Sequence, residues 1–165
     1  MVSIAQVALR SGQFLCVIIT LGLVAGAIDV QRKFNSSVNY AMFTAVFSIF
    51  VIIYGFAAAF VESLAQPMII GVMDGLATAF NFFAGVSLAA LLGVHSCSNS
   101  GYLNSNNLAQ GITRRCRELQ AATAFFWFAF ALFAASLVVD VMNRGSGMSM
   151  RRGSARKGAP SMSQV

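Results

Sequence analysis

The charged residues of this chain gather into short clusters, and the stretches between them carry none. No residue is charged between Arg10 and Asp29, between Lys33 and Glu62, between Asp74 and Arg114, or between Glu118 and Asp140. A bilayer core about 30 Å thick needs about 20 apolar residues of helix. The pattern therefore predicts four membrane-spanning helices, at 13–28, 40–61, 68–94 and 121–142. β-Branched and aromatic runs inside them (47–54, 137–141) are not read as strands, because an open sheet edge cannot lie in lipid. A barrel would show alternation instead of continuous apolar runs. The third span is the longest, so it tilts or extends past the hydrocarbon. Gln66-Pro67 ahead of it suits a helix start. Arg10, the apolar run 14–24 and Ala25-Gly26-Ala27 also resemble a cleavable signal peptide, but this segment is expected to be retained as the first span. The expected fold is an all-α membrane protein: a four-transmembrane-helix bundle over 1–143, followed by a basic tail, 144–165, that cannot fold alone.

Composition removes the soluble alternatives. Hydrophobic residues make up 58% of the 165 and charged residues 10%, against roughly 45–50% and 25% in soluble domains. A net charge of +6 would fit a nucleic-acid binder only on a polar scaffold, which this chain lacks. Three cysteines in so apolar a chain do not make a disulfide-dense mini-protein. Four spans place both termini on one side. That side carries Arg10 and five tail cations, Arg144, Arg151, Arg152, Arg156 and Lys157; the other carries Arg32, Lys33, Arg114, Arg115 and Arg117. The positive-inside rule does not separate them. Cys97 and Cys116 in the long loop before the fourth span form a disulfide only in an oxidising compartment, and Asn35-Ser36-Ser37 on the same side is a glycosylation sequon. Both favour cytosolic termini.

Asp74 is the one ionisable group well inside a predicted span. A carboxylate at membrane depth faces the bundle and has a partner. Thr78 and Asn81 follow on the same helix face, and Tyr54 and Ser136 are expected at similar depth. Two readings are open: a proton or ion relay, or a protonated Asp74 hydrogen-bonded to Tyr54, Thr78 or Ser136, with no cation at hand. Gly22, Gly26, Gly71 and Gly75 have the small-residue spacing of close helix packing. Phe125, Phe126, Trp127 and Phe130 crowd the start of the fourth span, and some of these rings must meet lipid or the interface. His95, Cys97 and Cys116 are too unevenly spaced for a zinc site; a Cys97–Cys116 disulfide is expected instead. No metal, cofactor or catalytic constellation is expected, since there is one His and no paired catalytic carboxylates. Tail residues Arg151, Arg152, Arg156 and Lys157 should attract anionic lipid. Arg151-Arg152-Gly153-Ser154 looks like a basophilic kinase site, where phosphate on Ser154 would loosen that attraction.

Four spans with a short first and a longer final loop resemble the MARVEL-domain proteins. The similarity to the fungal non-classical export protein 2 family is closer. It rests on Val38-Asn39-Tyr40-Ala41-Met42-Phe43, on Phe60-Val61-Glu62-Ser63-Leu64-Ala65-Gln66-Pro67 and on His95-Ser96-Cys97. Further matches are Tyr102, Asn106, Gln110-Gly111, Arg115-Cys116-Arg117, Gln120-Ala121-Ala122 and the ending Ser163-Gln164-Val165. Ser63 and Gln66 stand where the family pattern has Pro and Trp. The resemblance implies a non-enzymatic plasma-membrane organiser in furrow-like, sterol-rich compartments over eisosomes. It implies a part in forming those furrows and in relaying sphingolipid status to eisosome assembly through kinases, with eisosome scaffold proteins and kinases as partners. Membrane lipids (sphingolipid, sterol, anionic cytosolic-leaflet lipid) and a second copy of the chain are the expected partners. The alternative from the residues alone is a small transporter or channel using the polar face around Asp74.

Overall fold

The computed structural model describes residues 4–154 apart from Ala65 and Val94, with the backbone alone for Glu62 and for 143–154. Five helices follow in order: α1 (Ile4–Asp29), α2 (Ser36–Phe60), α3 (Pro67–Leu92), α4 (Ser100–Ser105) and α5 (Thr113–Ser154). A single 3-10 turn, Glu62–Leu64, lies between α2 and α3. Among the described residues there is no strand. Four of the helices are long and apolar enough to cross a bilayer: α1, α2, α3 and the Thr113–Met142 part of α5.

Helix limits follow local chemistry. Asn35 caps α2, its Oδ1 accepting from the Ser37 and Val38 amides at 3.0 and 3.4 Å, which satisfies two amides that the helix cannot. Pro67 begins α3, where its missing N–H costs nothing. Gly93 ends α3 at φ 61°, a conformation that side chains disfavour. The bend between α2 and α3 is built by backbone bonds, with the Leu64 amide on the Val61 carbonyl at 3.0 Å. Gln66 is exposed there and makes no side-chain cap.

Three segments differ from the sequence reading. The first span begins at Ile4 instead of residue 13, because Gln6, Arg10 and Gln13 lie on its inward face and bond within the bundle. The third ends at Leu92; residue 94 lies outside the described residues. At the other end, α5 continues as helix to Ser154, into the segment read as unable to fold alone. Each residue added to an existing helix gains a hydrogen bond without a new nucleus. Arg151, Arg152 and Ser154 are on that extension, while Arg156 and Lys157 lie outside the described residues.

The helices form a ring in which α1 packs on α2 and α5, and α3 on α2 and α5. Small buried residues let them approach, among them Ala27, Ala41, Ala77, Ala84, Ala122 and Ala129. Two apolar layers fill the interior. Val24, Val38, Leu88, Leu119 and Phe126 occupy the loop-side half; Val17, Val51, Ile52, Ala77 and Phe133 occupy the half nearer the termini. A polar rung joins α3 to α2 within the bundle, where the Asn81 amide donates to Ser48 Oγ at 2.9 Å. Outside, the spans carry large apolar side chains such as Leu15, Phe50, Ile53, Phe83 and Phe128. This is the surface that a hydrocarbon solvent requires.

Cys97 and Cys116 form a disulfide, with their Cα atoms 5.8 Å apart. Replacing both by Ser should lower unfolding free energy by about 3 kcal/mol, the loop-closure effect expected of a crosslink across so few residues. Thermal unfolding of the purified chain with and without reductant checks this: reductant should shift the parent to the variant's midpoint and leave the variant unmoved.

Candidate functional site

On the terminal side of the apolar layers lies a buried ion pair. Asp74 is seven residues into α3 and Arg10 six into α1, so each sits about 10 Å from its helix end at about 1.5 Å per residue. The guanidinium of Arg10 grips the Asp74 carboxylate with two parallel bonds, Nη1 to Oδ1 and Nη2 to Oδ2, both 2.7 Å. This fork geometry is the strongest that Arg and a carboxylate form. Asp74 is fully buried and Arg10 is 5% exposed. Around them a shell completes the bonding. Ser136 Oγ of α5 donates to Asp74 Oδ2 at 3.1 Å. Arg10 Nη1 also donates to Gln13 Oε1 at 3.1 Å, and Gln13 Nε2 donates to the Leu132 carbonyl at 3.2 Å. Gln6 donates to the carboxylate of Asp140 on α5.

The fourth wall is backbone. A Cβ placed on Gly55 of α2 would lie 2.6 Å from both Cζ and Nε of Arg10. Glycine at 55 therefore gives the guanidinium its seat against α2. All four spanning helices meet at this point.

Asp74 thus has the cation that the sequence reading expected to be missing. Arg10 is an inward-facing residue of α1, not a flanking loop charge. The spacing signal was present: Gln6, Arg10 and Gln13 recur at i, i+4 and i+7, one face of a helix. Of the expected Asp74 partners, Ser136 does bond it. Thr78 does not reach the carboxylate, its Oγ1 instead donating to the Asp74 backbone carbonyl at 2.7 Å. Tyr54 points away and donates to the Leu64 carbonyl at 3.0 Å. Asn81 serves the separate rung with Ser48.

Other expected positions divide in the same way. Gly26 faces Glu118 of α5, whose Oε1 would lie 3.0 Å from an added Cβ, but Gly22 and Gly75 have open space beside them. Close helix packing at those two is therefore not found within this bundle; Gly71 is half-buried. Phe126 is fully buried and so is a core residue, not a lipid contact. Trp127 and Phe128 face outward, and Phe130 is half-buried against Phe82 and Trp127. Phe125 is half-buried beside Phe128.

At the opposite end the bundle is closed by a folded loop. The disulfide packs with Leu103 and Ala109. Tyr102 Oη donates to the Leu92 carbonyl and Asn106 Nδ2 to the Leu91 carbonyl, the latter at 2.9 Å, so loop side chains satisfy the last carbonyls of α3. His95 stacks on Tyr102 with ring centroids 4.7 Å apart. The Gln120 amide donates to the His95 carbonyl at 2.9 Å. Arg115 is fully buried and donates to the carbonyls of Leu108 and Ala27, and to Gln31 Oε1 at 3.2 Å. Its charge rests at the negative C-terminal end of α1. Gln110 adopts φ 52° and ties the two loops together. Its Oε1 accepts from the Arg32 and Lys33 amides, and its Nε2 donates to the Lys33 carbonyl at 2.8 Å. Many of the loop residues that carry the family resemblance are thus the ones that hold the loop in place.

A four-span bundle with a disulfide-stapled final loop defines the class: a multi-pass membrane protein of the MARVEL type. The profile of the MARVEL family, described as a membrane-associating domain, matches residues 3–139. Over the whole length of both chains the sequence is 40% identical to non-classical export protein 2 of Saccharomyces cerevisiae, and 40% to that organism's non-classical export protein 2 homolog 1. It is 39% identical, again over both full lengths, to non-classical export protein 102 of Candida albicans. The chain belongs to the fungal non-classical export protein 2 family of MARVEL-domain proteins, which is not a known enzyme family. No solved structure matches it significantly.

Removing one partner of a buried pair leaves an uncompensated charge and costs about 3–5 kcal/mol, whereas an apolar replacement of both is close to neutral. Asp74→Asn and Arg10→Met should each lower the unfolding midpoint in detergent, and Arg10→Met/Asp74→Leu should recover most of the loss. Gly55→Ala should destabilise the parent by about 1–3 kcal/mol through overpacking and do little in the Arg10→Met background. Equal penalties in both backgrounds would show that Gly55 does not seat the guanidinium.

Proposed function

We propose that this protein is a non-enzymatic organiser of plasma-membrane microdomains, with its termini in the cytosol. Its work is done by the shape and lipid preference of a rigid bundle and by lateral association in sterol- and sphingolipid-linked, furrow-like compartments over eisosomes. The single observation that carries the reading is the closure of the intramembrane polar site. Both Asp74 oxygens are engaged by Arg10 and Ser136, so the polar face acts as a clasp between helices and not as a transport path. The outward-facing rings, Phe50, Phe83, Trp127 and Phe128 among them, supply the lipid-contacting surface. The disulfide in the loop between α3 and α5 supports placing that loop in the oxidising compartment and the termini opposite.

Partners of such an organiser are membrane lipids, eisosome scaffold proteins, kinases that act on the tail, and other copies of the chain. The cations Arg151 and Arg152 near Ser154 support electrostatic attachment to the anionic cytosolic leaflet, released by phosphorylation. The names of these relatives refer to non-classical export, and export of a cargo is not part of this reading.

A fluorescently tagged copy in fungal cells should form stable surface patches that redistribute when sphingolipid synthesis is blocked. A uniform signal, unmoved by the block, overturns the reading. In liposomes the parent and Asp74→Asn should show the same background ion flux; flux that is lost on substitution would instead establish a transporter.

A further inference from the structure

The loop-side surface holds a cleft of about 530 Å³ lined by the two loops that Gln110 ties together, with Arg32, Lys33, Asn104 and Asn107 among its walls. That volume falls within the roughly 300–1,000 Å³ of small-ligand sites. Its polar groups divide by what they already do. Gln110 and Asn106 are structural: the first clamps the α1–α2 loop, and Asn106 Oδ1 accepts from the Leu108 and Ala109 amides at 2.8 and 3.0 Å. Asn104 and Asn107 are exposed. Among the described residues neither Arg32 nor Lys33 makes an ion pair. Two adjacent cations call for an anion such as phosphate. Free side-chain amides, which both donate and accept, suit hydroxyls.

Two further features fix the location and the opening. Phe34, between the cations and the start of α2, also lines the cleft and is 80% exposed. It precedes the first residue of the α2 span by two positions, which places it at the edge of the membrane-crossing segment. Gly111, at φ 75°, keeps the floor open: an added Cβ would lie 3.0 Å from Asn104 Oδ1.

We propose that this cleft binds the hydroxyl-bearing phosphodiester headgroup of a lipid in the loop-side leaflet. Arg32 and Lys33 take the phosphate and Asn104 and Asn107 the hydroxyls, with Phe34 resting against the headgroup–acyl boundary. The site would give the bundle the lipid preference that the proposed organiser needs. It rests on that reading only for its biological use, since its test is made on purified protein and does not involve patches in cells.

The experiment is native mass spectrometry of the full chain released from nanodiscs containing three lipids. Phosphatidylinositol carries one charge and a polyol, phosphatidylmethanol one charge and no hydroxyl, and phosphatidylcholine no net charge. Retention should favour phosphatidylinositol over phosphatidylcholine by about tenfold, the scale of one charge-assisted contact. Arg32→Gln/Lys33→Gln should abolish that preference with an unchanged unfolding midpoint. Asn107→Leu should keep the preference for charge but equalise phosphatidylinositol and phosphatidylmethanol. Equal retention of phosphatidylinositol and phosphatidylcholine by the parent, or a preference that survives the double substitution, overturns the site. Parity of phosphatidylinositol and phosphatidylmethanol in the parent overturns the role of the hydroxyls. Binding of soluble inositol 1-phosphate to lipid-free protein in detergent, lost in the double variant, would assign the cleft to a free polyol phosphate and overturn the lipid source. Patch behaviour in cells is independent of all these outcomes.

Discussion

Inside hydrocarbon there is no water to satisfy a polar group, so each one placed there must find its partner on another helix of the same bundle. Most of the specific geometry in this protein follows from that constraint. Arg10 and Asp74 are individually costly at membrane depth; joined by two 2.7 Å bonds and backed by Ser136 and Gln13, they become the contact that ties α1, α3 and α5 together. Gly55 is the corollary on α2, since a guanidinium held this way needs a surface without a side chain to lie on. Apolar packing alone discriminates poorly between helix registers, because lipid and leucine are alike to a leucine. A bidentate pair with one seat discriminates sharply, and it fixes the rotation of three helices at once.

The same constraint shapes the far end differently. There the chain leaves the membrane, and the carbonyls at the ends of α1 and α3 need donors. They are met by side chains of the final loop and the start of α5: Tyr102 and Asn106 on α3, Arg115 on α1. The disulfide holds that loop where its donors can reach. One end of the bundle is therefore closed by charge and the other by a stapled cap, with two apolar layers and the Asn81–Ser48 rung between. This leaves the outer face free to be selected for lipid contact, and the loop-side surface free to carry a polar cleft.

Much of the architecture was legible without coordinates. Uncharged stretches of span length force helices, and Pro67 marks a helix start by local stereochemistry; the loop cysteines suggested their own pairing. Asn35 and Gly93 turned out to be helix limits only once the structure showed their cap geometry. The family, too, could be read from short motifs. These are properties of single segments, set by backbone sterics and by the thickness of the bilayer. What the sequence could not decide was which polar residue meets which. Arg10 reads as a flanking charge until α1 is known to start at Ile4, and Tyr54 reads as a partner of Asp74 until α2 is rotated to turn it toward Leu64. Phe126 reads like its neighbours Phe125 and Trp127 until the bundle claims one side of α5. Gly22 and Gly75 fit a packing motif yet face open space, while Gly55, in no motif, has the closest contact. Such pairings depend on the relative rotation and depth of helices distant in sequence, so only the assembled tertiary structure could assign them.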